Sequence, residues 1–184
     1  MPGDFSARQT SLLIYDMSSA LLEGQSFEQW VLDGMPQFAR LLDCCRRAGV
    51  LICYAVSAKG YAPEEVCPPI APVQGEIILR HPFSGAFSAT TLEQSLRDHQ
   101  RDTLLIGGMA VDRGCNTTAR EALNLGIHPI VVRGICFTRD ISSSPVGAAT
   151  KEEIERVHLA SLHRLGAGIM TVDEVIATLD KPAR

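Results

Sequence analysis

A three-layer, doubly wound α/β domain is the fold class that this sequence predicts, and three observations predict it. Its apolar runs are short and continuous rather than alternating, as strands read when helices cover both faces of a parallel sheet. Helical patterns separate those runs, which argues for right-handed β–α–β crossovers. Glycines and capping pairs punctuate the helical stretches where such crossovers start and stop. The 184 residues suit a single domain, 1–184, with a core large enough to dispense with disulfide staples. A six-stranded, mostly parallel, Rossmann-like sheet is expected.

Ser11–Tyr15 (S-L-L-I-Y) reads as the first strand and ends at Asp16. Val31, Met35, Phe38, Leu42 and Cys45 then recur at helical spacing, and Gly49 supplies the stop. Val50–Val56 is a second strand, Ser57–Gly75 a proline-rich loop, and Ile77–Leu79 a third strand. Thr90 with Glu93 forms a capping-box pattern for a helix toward Gln100. Thr103–Ile106 is a fourth strand, followed by a glycine segment and a helix from about Cys115 to Leu125, stopped by Gly126. Ile130–Val132 is a fifth strand and Gly134–Ala149 a loop. Thr150 with Glu153 opens another helix, Ile169–Met170 suggests a short sixth strand, and Thr171 with Glu174 caps the last helix.

Composition narrows the function. A net charge of −4 and the absence of a Lys/Arg-rich run give no reason to expect nucleic acid. The polar segment Met1–Thr10 lacks a signal core and no apolar run approaches membrane-spanning length, so a soluble cytoplasmic protein is expected. The six cysteines (Cys44, Cys45, Cys53, Cys67, Cys115 and Cys136) contain no C-x-x-C pair, so reduced packing thiols are expected and a structural zinc site is not. Neither G-x-G-x-x-G nor G-x-x-x-x-G-K-[ST] occurs, and Asp112, Glu121 and Asp140 lack metal-site spacing. No metal or cofactor is therefore expected.

Open parallel sheets bind ligands beyond the carboxyl ends of their strands. Asp16, the pair Arg80-His81 and the segment Gly107–Gly114 all fall there, after the first, third and fourth strands. The helix opening near Gly114 would present free N–H groups and a positive dipole end, suited to an oxyanion or carboxylate. Taken singly, Asp16 could be a turn residue, His81 a loop histidine before Pro82, and Gly107-Gly108 only a tight turn. Their convergence on one sheet edge favours a site.

Three segments in this order resemble the isochorismatase-like superfamily, whose members include cysteine hydrolases such as nicotinamidases and N-carbamoylsarcosine amidases. They are L-L-I-Y-D-M at Leu12–Met17, G-E-I-I-L-R-H-P-F-S-G-A-F-S-A-T-T-L at Gly75–Leu92, and G-M-A-V-D-R-G-C-N-T-T-A-R-E-A at Gly108–Ala122. The resemblance spans Ser11 to Leu179 and implies the fold read above. It also implies an Asp-Lys-Cys triad, of which only the aspartate carries over, to Asp16. His81 holds the lysine position, six residues before Phe87, and Gly114 holds the cysteine position, six after Gly108.

Glycine at that position is similar to the true isochorismatases, which cleave a vinyl ether with no acyl-enzyme. The chain departs from them at Ser18, Ala110 and Asp112, where glutamine, an aromatic residue and histidine would stand. The resemblance further implies a cis peptide at Met109–Ala110. Cys115 lies one helical step from the nucleophile position, about 100° away, and its thiol should pack beneath the helix.

The expected activity is hydrolysis of a small, anionic substrate without a covalent cysteine. Asp16 would be the general acid/base, and His81, with Arg80, would orient or neutralise an anionic group. The Ala110 and Gly114 amides would bind an oxyanion, and Phe87, Met109 and Cys115 complete the candidate contacts. An amidase using Cys115 and a non-catalytic binder of a small molecule or partner are the alternatives. Homo-oligomerisation is expected from the resemblance alone.

Overall fold

The computed structural model describes residues 5–18, 28–58 and 66–181. Its strands are β1 (Thr10–Tyr15), β2 (Leu51–Ser57), β3 (Ile77–His81), β4 (Thr103–Met109), β5 (His128–Phe137) and β6 (Gly168–Thr171). Its α-helices are α1 (Glu28–Ala48), α2 (Leu92–Asp98), α3 (Gly114–Asn124), α4 (Lys151–Arg164) and α5 (Val172–Leu179). The strands form one sheet in the order β3-β2-β1-β4-β5-β6, and every neighbouring pair is parallel. The chain winds outward from β1 to β3, then returns to begin again at β4. That reversal puts the topological switch point between β1 and β4, where such sheets open a crevice.

Both faces of the central strands β1, β2 and β4 are buried, which is why they read as unbroken apolar runs. Side chains alternate along each strand between two cores. Leu12, Ile14, Ile52, Tyr54, Leu105 and Ile130 pack against α1 and α5, with Phe38, Leu41, Leu42 and Val175. Leu13, Tyr15, Cys53, Ala55, Leu104 and Ile106 pack on the opposite face with Leu96 of α2, Cys115 and Ala119 of α3 and Leu162 of α4. The helical spacing expected from Met35 to Cys45 is thus the inward face of α1, although Val31 lies outside the described side chains.

Two of the three expected capping boxes form. Thr150 and Thr171 each accept from the N–H of Glu153 and Glu174, whose carboxylates accept in return from the backbone N–H of the threonines. The box expected at Thr90 and Glu93 does not form. The cap falls on Thr91, because Thr90 Oγ1 is drawn back to the Ala86 carbonyl at 2.5 Å while accepting from Leu92 N at 3.1 Å. Glu93 instead pairs with Arg97 one turn on, at 2.7 Å.

A second correction concerns β5, which runs five residues beyond Val132. Arg133 and Gly134 are exposed where the β4–β5 register shifts, and Gly134 takes φ +86°. The strand then resumes with buried Ile135, Cys136 and Phe137. The expected loop therefore starts at Thr138. Of the expected loop Ser57–Gly75, residues 59–65 lie outside the described residues. Among the described residues no helix is long and apolar enough to cross a membrane.

Candidate active site

β1 ends at the switch point by delivering Tyr15 and Asp16 to the crevice. Asp16 takes φ +47°, a left-handed conformation that aspartate tolerates better than bulkier residues. Its N–H donates to the Ala55 carbonyl of β2 at 2.9 Å. Its carboxylate Oδ1 accepts from the Ser57 N–H at 2.9 Å and lies 2.9 Å from His81 Nε2. The acid is therefore held by the ends of two strands beyond its own.

His81, the last residue of β3, is buried at 5% exposure, while Asp16 keeps 18%. The other ring nitrogen, Nδ1, lies 2.6 Å from the Phe83 carbonyl and 3.2 Å from the Tyr15 hydroxyl. The Phe83 carbonyl can only accept, and the Asp16 carboxylate accepts whenever it is ionised. The doubly protonated ring is the form that satisfies both at once. Burial alone would pull its pKa down, but the Asp16 carboxylate, as acceptor and as charge, and the Phe83 carbonyl outweigh it. His81 therefore titrates above its ordinary value of 6.5. Both ring nitrogens are committed within the protein, so His81 holds Asp16 rather than reaching toward an anionic ligand.

β4 supplies the opposite wall. Gly108 must be glycine there, and Gly107 is closely packed. A Cβ on Gly108, which takes φ +125°, would lie 2.0 Å from the Tyr15 carbonyl oxygen, and one on Gly107 would lie 2.7 Å from Ile135. The Met109–Ala110 peptide is cis, as the resemblance implied. α3 then starts at Gly114, and the amides of Ala110 and Gly114 have no acceptor among the described residues.

These elements enclose a cavity of about 620 Å³. Asp16, His81, Met109, Ala110 and Gly114 of the expected residues line it, together with Tyr15, Ser57, Phe83, Ser84, Arg113 and Arg139. Asp16 is the one carboxylate among the described residues of the wall, and Arg113 and Arg139 are its exposed cations. Three expected residues are not on that wall. Arg80 alternates with His81 along β3 and faces solvent on the other side of the edge strand. Phe87 packs against the α2–α3 core, and its N–H donates to Glu121 Oε2 at 3.2 Å. Cys115 is fully buried beneath α3, where burial above all, and then a hydrogen bond with Cys136, push its thiol well above the ordinary range.

Glu121 fixes the loop after β3. It accepts from Phe87 N and from Ser88 Oγ, while Thr118 Oγ1 accepts from Ala86 N at 3.0 Å. The loop that carries Phe83 and Ser84 past His81 is thus anchored to α3. Among the described residues no three His, Cys, Asp or Glu side chains converge as metal ligands would.

Sequence reasoning missed Tyr15, Arg113 and Arg139. Tyr15 left a signal, being a hydroxyl-bearing aromatic at the crevice end of β1, directly after Leu12, Leu13 and Ile14. Arg139 left none, because β5 was expected to stop at Val132. Its continuation to Phe137 carries Arg139 to the crevice.

The profile of the isochorismatase domain matches residues 10–174. The chain is 24% identical over 181 residues to an uncharacterised isochorismatase family protein, YrdC, of Bacillus subtilis, covering 90% of this chain and 94% of that one. A cysteine hydrolase from Pseudomonas syringae pv. phaseolicola superposes with a TM-score of 0.86 at 21% identity, covering 97% of this chain and 94% of the other. An isochorismatase from Pseudomonas putida superposes with a TM-score of 0.84 at 23% identity, covering 96% and 92%. The domain match extends through β1, β3, β4 and α3, the elements that build the crevice, and the chain belongs to the isochorismatase family of hydrolases.

Proposed function

We propose that this site hydrolyses a small anionic substrate without a covalent enzyme intermediate, with Asp16 as the general acid/base. The observation that carries the reading is steric. A Cβ on Gly114 would lie 2.0 Å from the Tyr15 ring, so the nucleophile position has no room for a side chain. Cys115 does not replace it, because a buried thiol with a raised pKa is a poor nucleophile at neutral pH.

The proton chemistry then belongs to the Asp16–His81 pair. A vinyl ether is cleaved when a proton is added at carbon, water attacks the resulting oxocarbenium ion, and the hemiketal collapses. As the Nε2 proton passes from His81 to Asp16, the carboxyl group gains the proton it gives to the substrate. His81 stays neutral in the interval, with Nδ1–H still on the Phe83 carbonyl. The attacking water later returns a proton to the pair, so the enzyme ends as it began. Arg113 and Arg139 supply the positive charge for a carboxylate, a role expected of His81 with Arg80. The Ala110 and Gly114 amides are the donors for a second substrate oxygen.

The test is an assay of wild type, Asp16→Asn and Cys115→Ser against isochorismate, nicotinamide and maleamate. Asp16→Asn should lose about 10²–10⁴ in kcat, the span of general acid–base catalysis, and Cys115→Ser should keep its rate. Loss of activity in Cys115→Ser would instead favour a thiol mechanism. A wild type silent on every compound would point to a non-catalytic binder.

A further inference from the structure

Gly114 is flanked by a side chain that leaves it no alternative. An ideal Cβ there would lie 2.0 Å from Tyr15 Cε1, 2.2 Å from Cζ and 2.6 Å from the hydroxyl oxygen. All three separations are far inside van der Waals contact. A cysteine at 114 would overlap the phenol, whose oxygen occupies the space beside the missing Cβ.

The ring has little freedom to retreat. Tyr15 ends the central strand β1, in register with Ala55 on one side and Gly108 on the other, and is 2% exposed. Cys53, Leu79, Ala86 and Cys115 belong to the same packed core. The His81 ring lies over it at 4.6 Å between centroids, tilted by 31°. The hydroxyl donates to the Ser84 carbonyl at 2.8 Å. With its proton spent there, the oxygen can only accept from His81 Nδ1–H, 3.2 Å away.

We propose that Tyr15 is a positioning residue of this site: it fills the space of the absent nucleophile and holds the His81 ring so that Nε2–H stays on Asp16. The proposal rests on the Asp16–His81 pair and is independent of which bond the enzyme breaks. The sequence of contacts is Asp16 Oδ1 to His81 Nε2, then His81 Nδ1 to Tyr15 and Phe83, then Tyr15 to Ser84. Glycine at 114 is in this reading the partner of Tyr15, and restoring cysteine alone cannot restore a usable thiol. Burial first, then the nearby Asp16 carboxylate, hold the phenol in its neutral form, so it positions through hydrogen bonds and carries no charge.

Two measurements without turnover test this. The first is the His81 titration midpoint, followed by NMR of the ring nitrogens in wild type and Tyr15→Phe. Asp16 and Tyr15 face the ring from β1, and Arg113 and Arg139 line the same cavity from beyond β4 and β5. Only the Tyr15 hydroxyl changes between the two proteins. Losing one acceptor of the imidazolium should lower the midpoint by about half a unit to one unit. An unchanged midpoint would overturn the positioning role.

The second is a thermal-unfolding cycle. Gly114→Ala should lower Tm by roughly 6–12 °C in wild type and in Tyr15→Phe, which both keep the ring. In Tyr15→Val, which removes it, the same change should cost almost nothing. Equal losses in all three backgrounds would show that another group occupies that space. If Asp16→Asn proved fully active, the proposed acid/base role would fail while both of these results could stand.

Discussion

Replacing Asp16 by asparagine removes the charge that holds the His81 proton, and unfolding as well as turnover reports the change. The His81 pKa is raised on folding above the unfolded value of about 6.5. The sign follows from linkage. The stabilising contribution is complete below pH 6.5 and is lost as pH rises through the folded pKa. Between those two values the native state holds up to one proton more than the unfolded chain. The unfolding free energy should then fall by up to about 1.4 kcal/mol per pH unit. The total is bounded by a charge-assisted hydrogen bond, about 1.5–3 kcal/mol. Asp16 keeps some solvent contact at 18% exposure, which favours the lower half of that span.

Urea unfolding of wild type, Asp16→Asn and His81→Gln from about pH 6 to pH 8 measures it. The difference between wild type and His81→Gln cancels His99, His128, His158 and His163, the other histidines of the chain. That difference should shrink as pH rises. In Asp16→Asn the burial of the ring loses its main opponent, so the decline above pH 6.5 should vanish. A variant that kept the wild-type slope would refute the assignment of the His81 proton to Asp16.

Other consequences are quickly checked. Gly108→Ala places a Cβ 2.0 Å from the Tyr15 carbonyl oxygen at φ +125°, which should cost about 3 kcal/mol or more and lower Tm by at least roughly 6 °C. An unshifted circular-dichroism melt would contradict this close approach of β1 and β4. All six cysteines are buried, so a chromogenic disulfide should label the native protein slowly and react with every thiol only in denaturant. One rapidly labelled thiol that substrate protects would return the argument to a cysteine hydrolase. Thr150→Ala removes one side of a reciprocal cap on α4 and should lower chemical stability by about 1 kcal/mol.

The legible part of the fold was the part governed by local pattern. β1, β2 and β4 are buried on both faces, so their sequences carry the continuous apolar signature, and Thr150 and Thr171 form the capping boxes their spacing implies. Thr90 failed the same test because its hydroxyl had another acceptor in the Ala86 carbonyl, four residues back in the preceding loop. β5 was truncated because Gly134 reads locally as a loop, whereas pairing of Gly108 and Met109 with Cys136 and Phe137 draws the strand onward. The site divides similarly. Asp16 and His81 were found from strand ends alone, but Arg80 was misplaced by a side-chain alternation that its neighbour His81 fixes. Arg139 depended on the unseen half of β5.

The proposal of a reaction without a covalent cysteine rests on volume at the two positions that could supply a thiol. At 114 the Tyr15 ring takes the space that a side chain would need. At 115 the thiol lies in the α2–α3 core, and its own N–H is tied to the Ala110 carbonyl at 3.1 Å. Bringing it into the cavity would require turning the start of α3 by about 100°, which breaks that bond and empties a packed position. What is left on the described wall is one carboxylate, a buried imidazole committed to it, and two arginines. In the proposed reading that carboxylate moves protons, held through Oδ1 by the Ser57 N–H and by His81. The chemistry proposed for this arrangement is therefore proton transfer at an anion facing Arg113 and Arg139, with water as the nucleophile.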